Sequence, residues 1–147
     1  MSFKYKFQKI LSIKETEKQR ALEAYQLTVK QFEEVAEKLY HYLKQKEDLE
    51  SIQLQKLSVG LNVTEIKHHQ TFITNLEKTI SHFQNLVASA RQNMLGQEAQ
   101  LLEKNIEVKK YEKLKDKQQE DFQELVSAAD NRLMDEISIQ QYMNKES

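Results

Sequence analysis

Proline, cysteine and tryptophan are absent from this 147-residue chain, and glycine occurs twice. Doubly wound sheets, sandwiches and barrels turn often and use glycine and proline to do so, whereas a chain nearly free of both can run as unbroken helix. An all-α protein with one turn is the expectation. Without cysteine there is no disulfide framework and no thiolate metal site, which suits a reducing compartment. No stretch approaches the roughly 18 apolar residues of a membrane-spanning helix, and MSFKYKFQKILSIKE lacks the apolar block and cleavage site of a signal peptide. A soluble, cytoplasmic protein is expected, with peripheral membrane attachment left open. A mean hydropathy of -0.76 provides too little apolar surface for a thick core, which favours a thin helical rod over a globule.

The 22 basic and 23 acidic residues leave a formal net charge of -1, so the total points to no nucleic acid and no acidic substrate. The distribution says more. Lys4, Lys6, Lys9 and Lys14 fall in the first fourteen residues without a carboxylate, Lys109, Lys110, Lys113, Lys115 and Lys117 form a second basic zone, and beyond residue 119 the balance turns acidic. An RNA-binding rod is disfavoured because arginine-rich segments and stacking aromatics are missing beside the lysines.

Leu22, Tyr25, Val29, Phe32, Ala36, Leu39 and Leu43 follow one another at alternating steps of three and four, the spacing of a heptad seam. A longer seam starts at Ile73 and runs through Leu76, Ile80, Phe83, Val87, Ala90, Met94, Leu101, Val108, Tyr111, Phe122 and Leu125 to Ala129, interrupted by Gln97, Lys104, Lys115 and Gln118. One phase kept over about eight heptads predicts a left-handed supercoil. Between the seams, KLSVGLNVTEI offers the one credible break. Gly60 can take the left-handed conformation that ends a helix, and Asn62 with Glu65 reads as the N-cap and third position of the next helix. Gly96, with no cap or proline nearby, reads as a soft spot inside the second helix and not as another turn.

The predicted fold is therefore a long antiparallel two-helix coiled coil, a helical hairpin, in a single elongated domain over residues 1–147: helix from about 3 to 58, turn about 59 to 63, helix about 62 to 143. At 1.5 Å per residue the first helix is roughly 84 Å long and the second roughly 120 Å, so the second must overhang at its C-terminal end. Pairing residue i with about 122 minus i brings the two lysine zones to one level. It leaves Phe122, Leu125, Ala129, Leu133, Met134, Ile137 and Tyr142 as an apolar stripe without an intramolecular partner, a candidate binding surface.

Reactive constellations are nearly missing. Isolated glycines cannot cradle a phosphate. Glu65 and His68 make a single Glu-x-x-His where a di-iron bundle needs two plus further glutamates. His41, His68, His69 and His82 read as solvated or packing side chains, and Asn62-Val63-Thr64, a glycosylation triplet, reads as a cap. Neither catalysis nor any cofactor or metal is expected.

QTFITNLEKTI at 70–80, with Gln70, Phe72, Ile73, Leu76, Glu77, Lys78 and Ile80, resembles the flagellar export protein FliJ family. FKYKFQKIL near the start, KYEKLKDKQQEDF and the late MDEISIQQY are similar to the bacillar type of that family, and the likeness spans the chain. The resemblance implies a non-enzymatic stalk, similar to that of rotary ATP synthases, which enters the flagellar export ATPase hexamer. It also implies contacts with the cytoplasmic domain of the export-gate membrane protein and with export chaperones, at the cytoplasmic face of the membrane at the flagellar base, in the service of flagellum assembly and motility. Its gate-binding face would fall on Lys38, Tyr42, Gln45, Leu49, Phe72, Leu76, Thr79 and Phe83, several of which depart from the enteric pattern. Leu76 and Phe83 are in phase with the seam, while Tyr42 and Phe72 lie off it and are the sharper candidates. The ATPase ring would take the apolar stripe from Phe122 to Tyr142, and Lys109, Lys110, Lys113 and Lys117 would form a basic collar. The free chain should be monomeric. The alternative is an unrelated structural or tethering coiled coil, without an ATPase partner and dimeric.

Overall fold

The computed structural model describes residues 2–60 and 62–146. Leu61, inside the predicted turn, lies outside the described residues, as do Met1 and Ser147. Two helices account for nearly all of the rest: α1 (Gln8–Val59) and α2 (Val63–Glu146). By their contacts the residues divide into two compact units, one built from Met1–Gln19 with Glu103–Ser147 and the other from Arg20–Leu102. The fold is all-α, with the two long helices packed against each other as a helical hairpin.

Within the second unit, α1 and α2 meet antiparallel at the register expected from the seams. Tyr42 stacks on Phe83, with ring centroids 5.1 Å apart, and Lys46 stands opposite Glu77. Ile73, Leu76 and Ile80 are buried at every third or fourth position, as a heptad seam requires. On α1 the seam departs from strict heptads. After Leu39 the half-buried positions are Tyr42, Gln45, Lys46 and Leu49, while Leu43 is 42% exposed. A step of three in place of four turns Tyr42 inward, where a flat ring can cover Phe83 more fully than a leucine would. Tyr42 thus belongs to the seam, contrary to the sequence reading.

At the connection, Gly60 adopts φ +98°, the left-handed region in which a Cβ would be strained. Its amide donates to the Lys56 carbonyl at 3.0 Å, which satisfies one of the last carbonyls of α1. The Asn62 Oδ1 then accepts the Glu65 amide at 2.8 Å, the N-cap bond that starts α2. Gly96 is helical, with open space where a Cβ would stand.

The first unit holds a feature that heptads do not foresee. The first helix begins at Gln8 and not near residue 3. Preceding it, a non-helical segment lays Phe3, Tyr5 and Phe7 on α2. Tyr5, only 8% exposed, forms a core with Leu11 and Val108, flanked by Phe3, Phe7, Tyr111 and Leu114. The Tyr5 hydroxyl donates to the Tyr111 carbonyl at 2.8 Å, and its burial raises the phenol's pKa above the ordinary value, with the Tyr111 charge as a smaller cause. The Phe7 ring meets Tyr111 edge to face, and Phe3 lies against Phe122 with centroids 5.6 Å apart. A helix over residues 3–7 would place these three aromatics on different sides; here residues 2–5 are irregular and Lys6–Phe7 form a turn, the Gln8 amide donating to the Tyr5 carbonyl at 3.2 Å, and all three rings reach α2.

One turn further along, Lys14 approaches Glu107 at 3.2 Å and Lys104 approaches Glu17 at 3.4 Å. Lys14 also reaches Glu17, and Lys104 reaches Glu107. The four charges alternate in sign around a partly covered square. Lys104, an interruption of the apolar seam in the sequence, is here a seam residue with a counter-ion. Contact with the Glu107 carboxylate, then with Glu17, holds the Lys14 ammonium above its usual pKa against partial desolvation. The Lys104 ammonium, then Lys14, holds Glu17 below the usual carboxylate value.

Candidate functional site

Three surfaces singled out by the sequence can now be placed. The gate-binding candidates lie in the second unit, and the packing of α1 on α2 divides them. Leu76 is 7% exposed and belongs to the seam. Tyr42 and Phe83 are half-buried against each other, and Gln45, Leu49 and Thr79 are also half-buried. Only Lys38 and Phe72 face outward, Phe72 at 50% exposure. Phe72 lines a shallow groove with Lys56, Glu65, His68 and His69. There the His69 Nε2 lies 3.1 Å from the Leu49 carbonyl, so this nitrogen carries the proton that is donated. That bond ties the first turns of α2 to α1 and accounts for one of the four histidines as a packing group. Among the described residues no group of histidines and carboxylates is placed to hold a metal ion.

The C-terminal stripe divides as well. Phe122, expected to be uncovered, is half-buried beneath Phe3, because the N-terminal segment reaches further along α2 than a helix starting at residue 3 would. From Leu125 onward the expectation of an uncovered stripe holds: Leu125 is 71% exposed, and Ala129, Leu133, Met134, Ile137 and Tyr142 are all exposed. Val126, half-buried, is the last side chain of this stretch with appreciable cover. Large apolar side chains spaced at three and four residues along an otherwise acidic helix have no structural use in water.

The basic collar lies on the same helix. Lys109, Lys110, Lys113 and Lys117 are exposed and, with Ile106 and Leu114, line one groove. The N-terminal lysines join this level of the first unit: Lys4 and Lys115 flank a second groove with Gln8 and Gln119. Lys110 and Lys6 each hold their ammonium near an aromatic ring, Tyr111 and Phe7 respectively. Sequence reasoning found the lysines and missed the aromatic segment that assembles them. The sequence held only a trace: Phe3, Tyr5 and Phe7 recur with period two, which departs from the three or four of a helix.

The family model described as "Flagellar FliJ protein" matches residues 3–147. The chain belongs to the flagellar FliJ family. Among curated relatives, the Flagellar FliJ protein of Bacillus subtilis (strain 168) is 46% identical over 143 residues, covering 97% of each chain. Among solved structures, "Structure of a putative YscO homolog CT670 from Chlamydia trachomatis" aligns over 98% of this chain and 94% of that one, at 20% identity and a TM-score of 0.49. Membership of the FliJ family makes the chain a component of flagellar protein export. No helix among the described residues is long and apolar enough to cross a membrane.

Proposed function

We propose that the chain is the non-enzymatic central stalk of the flagellar export ATPase ring, linking that hexamer to the export gate and to substrate chaperones, and needed for flagellum assembly and motility. The observation that carries the reading is the uncovered apolar stripe from Leu125 to Tyr142 on an acidic helix. An isolated helix of this length is marginal in water; a ring closing around it would supply the missing packing. Glu120, Asp121, Glu124, Asp130, Asp135 and Glu136 outnumber Arg132 and Lys145 there, so the receiving sleeve would be apolar with basic neighbours, the charges setting approach and register. The same acidity argues against the tethering alternative, since self-pairing of two such helices would set carboxylate against carboxylate.

Gate binding would centre on Phe72 and Lys38, the two candidates that face outward, with the Tyr42 and Phe83 stack as the support beneath them. A place at the cytoplasmic face of the membrane accords with both roles. The deciding experiment is truncation after Asp121. The shortened chain should keep its helical hairpin and lose stimulation of the export ATPase; stimulation at wild-type concentration would overturn the stalk assignment and turn attention to the end near Gly60. Phe72→Ala should weaken gate binding and leave ATPase stimulation intact.

A further inference from the structure

The exposed lysine face of α2 serves neither the helix packing nor the stripe assigned to the ATPase ring. At 100° per residue, Lys109, Lys110, Lys113 and Lys117 fall within an arc of about 100° opposite the buried Val108, while Glu112 and Asp116 fall nearer to Val108. Between residues 109 and 117 no carboxylate falls within the arc; Glu120, a turn beyond Lys117, closes it on the C-terminal side. Glu107, which could have countered it, is engaged by Lys14 and Lys104. The lysines are held on an aliphatic floor, Ile106 and Leu114 lining the same groove, and Ile106 is itself 59% exposed. Keeping four like charges on one face costs stability that a polyanion would restore.

The composition of the face indicates which polyanion. All four cations are lysine; the arginines of the chain, Arg20, Arg91 and Arg132, lie elsewhere. Lysine is a hydrated point charge on a flexible stem and lacks the fork that grips one carboxylate in fixed geometry. A row of such charges on a convex helix face suits a broad, laterally mobile array of phosphates. The stems and Ile106 can rest at the acyl boundary while the ammonium groups stay in the headgroup layer. We infer that this face docks on an anionic lipid bilayer, with Lys109, Lys110, Lys113 and Lys117 as the contacting cations. The inference does not rest on the stalk reading, which concerns residues beyond 122.

The test is co-sedimentation of the full chain with phosphatidylglycerol-containing vesicles and with pure phosphatidylcholine vesicles. Binding should occur on the anionic vesicles alone at low ionic strength and vanish by about 0.5 M salt. With each lysine contributing roughly fivefold near such a surface, changing all four to glutamine should lower partitioning by well over tenfold. Changing all four to arginine should preserve it, which keeps the test valid should the glutamine variant fold poorly. The control set Lys30, Lys44, Lys67 and Lys78, all exposed on the second unit, should bind as wild type when changed to glutamine. Equal binding to neutral vesicles, or an equal loss in the control set, would overturn the inference. So would an absence of vesicle binding while the lysine face still captured an acidic protein. ATPase stimulation by the same variants reads the stalk assignment separately.

Discussion

The two units of this protein solve the same packing problem with different chemistry. The unit over residues 20–102 buries Ile73, Leu76 and Ile80 in a repeating seam, and its helices are joined by a short turn. The unit of the chain ends brings together segments about a hundred residues apart in sequence. It uses an aromatic clasp, a hydroxyl to carbonyl bond and four alternating charges. A seam is generic: any leucine-like side chain of the right size maintains it. The clasp is specific, because Tyr5 must reach one carbonyl and Lys14 must meet one carboxylate. The difference teaches where register is specific, since within its own unit the clasp cannot slide by a heptad without parting these pairs.

The largest effects should come from removing buried aliphatics on either side of the comparison. Leu76→Ala and Leu11→Ala, at 7% and 2% exposure, should each cost about 2 to 4 kcal/mol in denaturant unfolding. Hydrogen exchange should accelerate first in the unit that carries the substitution; a uniform response would show that the two units do not open separately. Half-buried Leu39 should cost less when cut to alanine.

Tyr5→Phe keeps the ring and removes the donor to the Tyr111 carbonyl, so about 1 kcal/mol should be lost. Exchange near residues 108–114 should rise while residues 70–80 stay protected. Equal protection in both regions would mean that the hydroxyl is dispensable and that the clasp holds by ring contacts alone.

Much of the second unit was legible in the sequence, because its packing obeys one period over many residues and its turn uses Gly60 and Asn62 in their usual capacities. The Tyr42 step was hidden, since a change of phase on one helix is decided by which side chain the other helix offers, here Phe83. The clasp was obscured for another reason. Residues 3–13 are apolar at too many positions for a single helical phase, and the alternation of Phe3, Tyr5 and Phe7 becomes meaningful only once a receiving surface around Tyr111 and Phe122 is known. The ion square left a trace as Lys104 within an apolar seam, but the Glu17 it meets on α1 stands 87 residues away in sequence. Of the candidate surfaces, the uncovered stripe and the lysine zone followed from spacing and register, whereas the division of the gate face into covered and outward residues is decided by how α1 packs on α2.

The glycines give a smaller contrast. Gly60→Ala must force a Cβ into φ +98° and should cost about 1 kcal/mol. Gly96→Ala meets open space in a helix interior and should stabilise by up to about 1 kcal/mol. Opposite signs in thermal melts would support the single turn; destabilisation at Gly96 would indicate a bend there.

The smallest expected effect is the pH response of the ion square. Glu17 has its folded pKa lowered, so its contribution is present above the ordinary glutamate value and is lost as pH falls through the lowered one. Lys14 has its folded pKa raised, so its contribution is present below the ordinary lysine value and is lost as pH rises through the raised one. Glu17→Gln should flatten the acid side of the melting-temperature profile and leave the alkaline side to Lys14 and Glu107. An unchanged acid side would mean that solvent screens the pair completely.

The separation of Tyr5 from Tyr111 also bears on synthesis. At about 5 to 20 residues per second, Phe3, Tyr5 and Phe7 leave the ribosome some five to twenty seconds before their receiving surface exists. Hairpin closure at Gly60 joins near neighbours and can proceed within microseconds to milliseconds once both arms are out. The aromatic segment must therefore wait, uncovered, with Lys4 and Lys6 interleaved among its rings and Lys9 just after them. Those charges do for the nascent chain what gatekeeper residues do for any exposed apolar stretch: they keep it from finding another copy of itself before its own α2 arrives.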